Sequence, residues 1–593
     1  MSDSINKNCR ALTVDFVLRD DDPEMAAVED DIRRDLLKLN IQVNTRMLNA
    51  SDYGDAERNG DFNLLFTRTW GAPYDPHTYL NSWAIPAHVE YAASAQMHPP
   101  LTRDDFLAKV KNVQRESDPS KLQQQWTEIL NDIHQQAIFL PLWGTRIPYV
   151  VSRRLTDFTP SPQAFSYPLE SVRIVEGSAN VTIAPGAGGS LFESVGPMNP
   201  HQYFPNQLFA QAWLYEGLVA YGQDGEILPA LATQWSTEEI EGGGQRVTFV
   251  LRDNVTFHDG AAWNCAAAKL NFDHVLSDSV RERHGYMGLT AILKSWSCTD
   301  AGEFVLETSE PFYPLLQELT YIRPLTFASP NAFAQGLDSH PDQHNSCNPG
   351  DFGSSWTHLE EEVTCAGLKY PAGTGPFKYV SRVTNDDGKD TQVVFARHDT
   401  YWGTVPGIEN LIIQAYDSTE DVEAALLDGT LDMALGVGPL TAKQVQALKF
   451  SHSDVLDVRH SDVLQHALVV MNTGKSPTDE IAVRRAITHG IDKNTFIQNE
   501  FAGLEQPVAQ LLPFTAPYCN VDLSPKWSYD FEKAQLINCP VESDNSLSSG
   551  AIAGIAIGGL AFVALLIFVV RLVQAEKQGK PVFAPSTKGE SNM

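Results

Sequence analysis

The sequence of 593 residues contains no C-x-x-C pair, although it has seven cysteines, at 9, 265, 298, 347, 365, 519 and 539. That spacing excludes a zinc ribbon and a thioredoxin-type redox motif. A G-x-S-x-G elbow, an H-E-x-x-H helix and a phosphate-binding G-x-x-x-x-G-K-S/T loop are also missing, as is any convincing paired-carboxylate motif. With the usual signatures of hydrolases, zinc peptidases and nucleotide enzymes absent, the sequence gives those enzyme classes no support, and no enzymatic activity is expected. Cationic charge is scarce as well. Lys and Arg number 43 against 74 Asp and Glu, a formal net charge of −31. A field of that sign repels phosphodiester backbones and anionic lipid, which excludes nucleic acid as a partner. Any anion it holds needs a local arginine cluster. The first residues, MSDSINKNCRALTV, show neither a basic n-region nor an apolar h-region. Two expectations follow: a leader lies upstream of this sequence, or a C-terminal helix directs insertion.

What is present begins with apolar content. At 43% hydrophobic the chain has ample material for a large core, and its length suggests more than one compact unit. Gly550 to Val570, GAIAGIAIGGLAFVALLIFVV, carries no charge. As a helix it spans roughly 31 Å, the thickness of a bilayer core. Arg571, Lys577, Lys580 and Lys588 follow it, and Glu542 and Asp544 precede it. The basic flank predicts a single-pass membrane protein with a cytoplasmic C-terminus and an extracellular or lumenal binding domain. Gly550, Gly554 and Gly558 either pair two such helices or simply enrich the span in glycine. Sequons at Asn49, Asn180 and Asn254 fit glycosylation in a secretory lumen. In an oxidising compartment, Cys347 with Cys365 and Cys265 with Cys298 are plausible disulfides, and one thiol stays unpaired or bridges to another chain.

Along the chain, Leu12–Leu18 alternates as a strand, Glu24–Leu39 has helical spacing, and Ile41–Leu48 alternates again. Ala50–Arg58 reads as helix and Phe62–Thr67 as a short strand, which completes a βαβαβ succession typical of a mostly parallel α/β lobe. Helices are expected at 102–114 and 120–136, and a strand over 137–149 interrupted at Pro-Leu-Trp. Further strands are expected at 245–254, 304–307, 411–415, 431–435 and 464–472, with helices at 419–427 and 482–501. Ligands in such lobes sit beyond the carboxyl ends of strands. There the sequence runs TRTWGAPYDPHTYLNSWAIPAHVEY, from Thr67 to Tyr91, with three prolines, two tryptophans, three tyrosines and two histidines. Packing alone rarely needs that mixture. A rigid loop presenting rings and imidazoles to a ligand does.

Several blocks carry a resemblance: SVGPMNPHQYFPNQLFAQAWLYEGLVAY at 194–221, ILPALATQWS at 227–236, VTFVLRDNVTFHDG at 247–260, PAGTGPFKYV at 371–380 and MNTGKSPTDEIAVRRAITHGIDK at 471–493. Together with RTWGAPYDPH, the chain from about 10 to 540 resembles the extracellular solute-binding proteins of family 5, which serve peptide and nickel ABC importers, and most of all their nickel-binding members. The resemblance implies an α/β, two-lobed flytrap of the type II periplasmic-binding-protein kind. The order differs from the family's: the half containing RTWGAPYDPH precedes the other, which reads either as a circular permutation or as a slice through a tandem array. In permuted order, 142–430 forms the first lobe, while 1–141 and 431–543 assemble the second. A transmembrane helix over 549–571 and a disordered cytoplasmic tail over 572–593 complete the chain. A Cys9–Cys539 disulfide would reseal the family's original connection.

The same resemblance implies a cargo, namely Ni(II) held as a small carboxylate chelate, with no cofactor and with an ABC permease as receiving partner. His88 takes the metal-ligand position. Arg283 and Arg323 take the carboxylate-clamp positions, and Trp70, Tyr74 and Tyr203 the aromatic walls. Leu208 and Tyr286 stand where the family has methionine and tryptophan. An oligopeptide is the alternative cargo, and a non-binding ectodomain scaffold a further reading. From the residues alone, His88 could be an ordinary hydrogen-bonded histidine, Trp70 and Tyr74 core rings, and Arg283 a solvated helix residue. Arg323, set before proline among apolar neighbours, calls for an anion. His77 reads as packing the turn, with no partner indicated, and His340, His344 and Cys347 as a solvated insertion.

Overall fold

Sixteen residues after Asp22 form helix α1, Pro23–Lys38, for reasons visible locally. Asp22 accepts a hydrogen bond from Met25 N, Pro23 occupies the first turn, and Met25, Val28, Ile32 and Leu36 recur on one buried face. The helix crosses between parallel strands β1, Leu12–Arg19, and β2, Ile41–Leu48. After α2, Ala50–Asn59, β3, Leu64–Arg68, pairs parallel on the other side of β1. The expected βαβαβ succession is therefore in place. This computed structural model describes residues 10–186, 189–201, 207–281, 284–333, 368, 370–501 and 503–539. Arg283, Tyr203, Cys9, Cys347, Cys365, His340, His344 and the apolar run at 550–570 lie outside them. Among the described residues no helix is long and apolar enough to cross a membrane.

Apart from five strands of two or three residues, the further strands in chain order are β4 (Phe139–Ser152), β5 (Asn180–Pro185), β6 (Ala232–Glu239), β7 (Gln245–Leu251), β8 (Leu293–Cys298) and β9 (Phe304–Thr308), followed by β10 (Phe377–Thr384), β11 (Asp390–Arg397), β12 (Asn410–Gln414), β13 (Met433–Leu435) and β14 (Leu456–Met471). The main sheet runs β10-β11-β12-β5-β13-β4-β14-β3-β1-β2, and β6-β7-β9-β8 form a separate antiparallel sheet. One end of the main sheet is the parallel triplet β3-β1-β2; a second parallel triplet, β12-β5-β13, lies inside the antiparallel β10-β11 edge at the other end. Between them lies an antiparallel ribbon of the two longest strands, β4 and β14. This is a two-lobed α/β architecture in which one ribbon belongs to both wings.

The ribbon departs from the sequence expectation. β4 continues to Ser152 without a break at Pro141, and β14 starts at Leu456, well before the apolar run that marks it. The expected interruption at Pro141-Leu142-Trp143 appears as a register shift, Ala467 pairing with Trp143 and Leu468 with Pro141, and further shifts fall between His460 and Val463 and between Val463 and Gln465. Bulges of this kind bend a strand without ending its pairing. Gly144 sits in that stretch because a Cβ there would lie 2.7 Å from Val463 Cγ1. The helix expected over 482–501 is two, Ile481–Gly490 and Lys493–Glu500. Asp492 caps the second by accepting from Asn494 N and Thr495 N, a local contact that outweighs continued helical hydrogen bonding.

A disulfide joins Cys265, at the start of helix Cys265–Val275, to Cys298 at the end of β8, with Cα atoms 5.8 Å apart. Cys539 is disulfide-bonded too, and Cys519 is a buried free thiol. Closing 33 residues into a loop restricts the unfolded chain by about 3–4 kcal/mol in the loop-entropy picture. Replacing Cys265 and Cys298 together by serine is expected to lower unfolding free energy by that amount in a denaturant titration.

Candidate functional site

β3 ends at Arg68, and the chain then turns sharply against the ribbon. Thr69 N donates to His466 O at 2.9 Å, His466 N to Thr69 Oγ1 at 3.0 Å, and Gln465 Nε2 to Thr69 O at 2.7 Å. Gly71 follows at φ +76°, where a Cβ would meet Leu464 O at 2.6 Å. Its N–H donates to Asp75 Oδ2 at 3.1 Å, and its carbonyl accepts from Tyr74 N and Asp75 N. The Ala72–Pro73 and Asp75–Pro76 peptides in this turn are cis. From this turn Tyr74 packs into the core around the antiparallel sheet, and Trp70 packs both on that core and on the one around Trp83.

Trp70 is the hub there. Its ring centroid lies 6.1 Å from Tyr74, 5.7 Å from Tyr79, 5.8 Å from Tyr286 and 5.6 Å from the imidazole of His88. Tyr74 in turn stands 4.4 Å from Tyr321 and 6.1 Å from Phe165. A cavity of about 150 Å³ is lined by Trp70, Tyr74, Phe165, Leu208, Tyr286 and Arg323. Five of the residues singled out in the sequence thus share one wall, drawn from positions up to 253 residues apart (70 to 323). Tyr74 and Tyr286 are nearly buried, so each serves both as core ring and as cavity edge. Asn81 Nδ2 donates to the main-chain carbonyl of Tyr286 at 3.0 Å and ties that backbone to the opposite segment.

His88 precedes the short helix Val89–Ala93, with its ring against Trp70. Burial lowers its pKa to about 4, so the imidazole is neutral at physiological pH and able to ligate a metal. Among the described residues no three His, Cys, Asp or Glu side chains converge to hold a metal ion. Arg283 and Tyr203 lie outside the described residues.

Two features escaped the sequence reading. Arg68 and Arg323 both line an adjoining cavity of about 270 Å³, with Thr145 and Gln465 supplying further polar atoms. His77, for which the sequence indicated no partner, has two. Its Nε2 lies 3.0 Å from the Tyr321 hydroxyl and 3.5 Å from Glu318 Oε1. Glu318 also accepts from Gly288 N and Leu289 N, and Thr78 Oγ1 is 2.6 Å from the Tyr321 hydroxyl. The partner Tyr321 is 244 positions away, beyond any local signal.

Asp75 is fully buried, and burial raises its pKa to about 7 against the opposing hydrogen bonds from Gly71 N and Thr69. A carboxyl with a raised folded pKa takes up a proton on folding. Its contribution to stability is full below about pH 4 and is lost as pH rises through about 7. Asp75→Asn keeps an acceptor for Gly71 and stays neutral. Melting temperatures measured from pH 4 to 8 are expected to move steadily in the variant's favour; a constant difference would contradict the assignment.

Comparison with known proteins gives consistent likenesses. The sequence model for bacterial extracellular solute-binding proteins, family 5 middle, matches residues 226–537. The chain is 31% identical over 344 residues to the nickel-binding periplasmic protein of Escherichia coli K12, covering 58% of each. It is 26% identical over 350 residues to the glutathione-binding protein GsiB of Pectobacterium atrosepticum, covering 59% of each. The chain thus spans under two thirds of the length of these curated relatives. Among solved structures, NikA from Brucella suis in complex with Fe(III)-EDTA matches with 27% identity and a TM-score of 0.46, over 60% of this chain and 63% of that one.

Proposed function

Because this chain belongs to the bacterial extracellular solute-binding proteins, family 5, we propose that it is a membrane-anchored capture protein holding nickel as a small carboxylate chelate in the cleft beside Trp70. Two observations support this reading: the neutral imidazole of His88 packs on the Trp70 ring, and the Arg323 side chain lines the cavity that Trp70 walls, although His88 itself is not among that cavity's lining residues. Imidazole nitrogen with carboxylate oxygens suits Ni(II). With one histidine at hand, the ion brings its remaining ligands with it, and their outer oxygens pair with Arg323 and, on the sequence resemblance, Arg283. Trp70, Tyr74, Tyr286 and Leu208, with Tyr203, wall the chelate. A cavity of about 150 Å³ favours a small cargo.

In this reading 142–430 is one lobe and 1–141 with 431–543 the other, and the bulged β4–β14 ribbon is the hinge on which they close. A circularly permuted order is supported by the contact between the two ends of the described chain. Arg10 N donates to Asn538 O at 3.1 Å, and the Arg10 guanidinium forms two 2.7 Å bonds to Glu480. The run at 549–571 anchors the protein with its tail, 572–593, in the cytoplasm, and the Gly550–Gly558 stripe pairs two such helices. Asn49, Asn180 and Asn254 then face a glycosylating compartment, and a permease receives the cargo.

A peptide is the second reading, favoured by the further cavities that continue the cleft. Calorimetry decides between them. Nickel with a tricarboxylate is expected to bind with 1:1 stoichiometry, and a peptide library to give no heat; heat from peptides alone overturns the nickel reading. Arg323→Ala is expected to weaken chelate binding roughly 10- to 100-fold, the loss of one charge-assisted pair worth about 1.5–3 kcal/mol.

A further inference from the structure

Beyond the aromatic cavity the cleft opens into a second chamber of about 250 Å³, and Trp70 and Phe165 line both. Its remaining walls differ in kind, for they carry Arg19, Asp21, Asp22, Tyr53, Glu57 and Arg68. Most of that polarity is already matched. Arg19 Nε donates to Asp21 Oδ1 at 2.7 Å, and Arg68 Nη1 to Asp22 Oδ2 at 3.2 Å. Asp22 Oδ1 caps α1, and the Tyr53 hydroxyl donates to Phe66 O. Glu57 differs. It stands on α2 at the chamber wall, partly buried, and its carboxyl makes no hydrogen bond or ion pair with another described residue.

A carboxyl placed in that way, beside an aromatic passage to a metal-chelate site, lacks one thing only: a cation. We propose that the second chamber receives a protonated amine of the cargo, with Glu57 as its counter-ion, so that the chelator carries carboxylates at its metal end and a free ammonium on an arm passing Trp70 and Phe165. The inference rests on the chelate reading of the aromatic cavity and names the chemistry of the chelator. An ammonium leaving water needs an ionised, hydrogen-bonding partner, and the two aspartates nearby are engaged with arginines. Burial, with Glu90 on the neighbouring helix, raises the Glu57 pKa to about 8, while Arg58 on its own helix and Arg19 from β1 oppose the rise. Without cargo the group is therefore mostly protonated at neutral pH. An incoming ammonium favours the carboxylate and expels that proton.

The test compares two nickel chelates on the full-length protein by calorimetry at pH 7, in two buffers of different ionisation enthalpy. One is nickel nitrilotriacetate; the other is the same chelate bearing an aminobutyl arm, made from bis(carboxymethyl)-lysine. Wild-type protein is expected to prefer the amine-bearing chelate at least tenfold and to release about one proton as it binds. In Glu57→Gln the affinity ratio is expected to fall to near one and the proton release to vanish. Equal affinities in the wild type, or a preference that survives in Glu57→Gln, overturn the second chamber while leaving the aromatic site standing. Binding of neither chelate by the wild type overturns the chelate reading and this inference with it.

Discussion

The indole of Trp70 is wedged between two hydrophobic cores that the chain builds separately. One core surrounds the antiparallel sheet and includes Leu218, Phe249, Phe272 and Phe327; the other gathers Trp83, Phe106, Trp126 and Leu468. Phe165, its neighbour across the cleft, packs in turn on the first of these and on the core around Ile183, Trp213 and Phe395. Two rings therefore carry the packing of three cores to one place, and the cavity is what remains between them. Burying such rings stabilises the fold, and leaving an edge of each uncovered creates an apolar floor for a ligand.

That arrangement needs the backbone at two points to come closer than a side chain would permit. Gly71 lets the turn press on Leu464, and Gly144 lets β4 press on Val463. Both contacts fall on the stretch of β14 where its register slips. The turn that aims Trp70 and the ribbon shared by the wings are thus one mechanical unit.

Much of this was legible in the sequence. Apolar residues at Leu12, Val14, Phe16 and Leu18 and helical spacing after Asp22 mark the first wing, because a strand and an amphipathic helix leave different periods. Trp70, Tyr74, Leu208, Tyr286 and Arg323 could be grouped because they stand in distinctive blocks. Over Leu456–Val463 the apolar residues Leu456, Val458 and Val463 are too sparse to mark a strand, and its order comes from pairing with β4. The break at Asp492 was missed because a single capping carboxylate leaves the helical pattern on either side intact. Arg68, Phe165 and Glu57 went unnoticed for another reason. Each is an ordinary residue locally, and its role comes from which wall it faces, a property set by contacts hundreds of residues apart. The His77–Tyr321–Glu318 network belongs to the same class.

The central claim is that a nickel ion sits on the Trp70 hub with His88 as its protein ligand and Arg323 against its chelator. Nickel anomalous diffraction from crystals grown with nickel and a tricarboxylate tests it most directly. The account predicts a single strong peak within coordinating distance of the His88 imidazole, beside the Trp70 ring, with chelator oxygens turned to Arg323. A peak remote from His88 and Trp70, or a chelator whose carboxylates point away from Arg323, would contradict it.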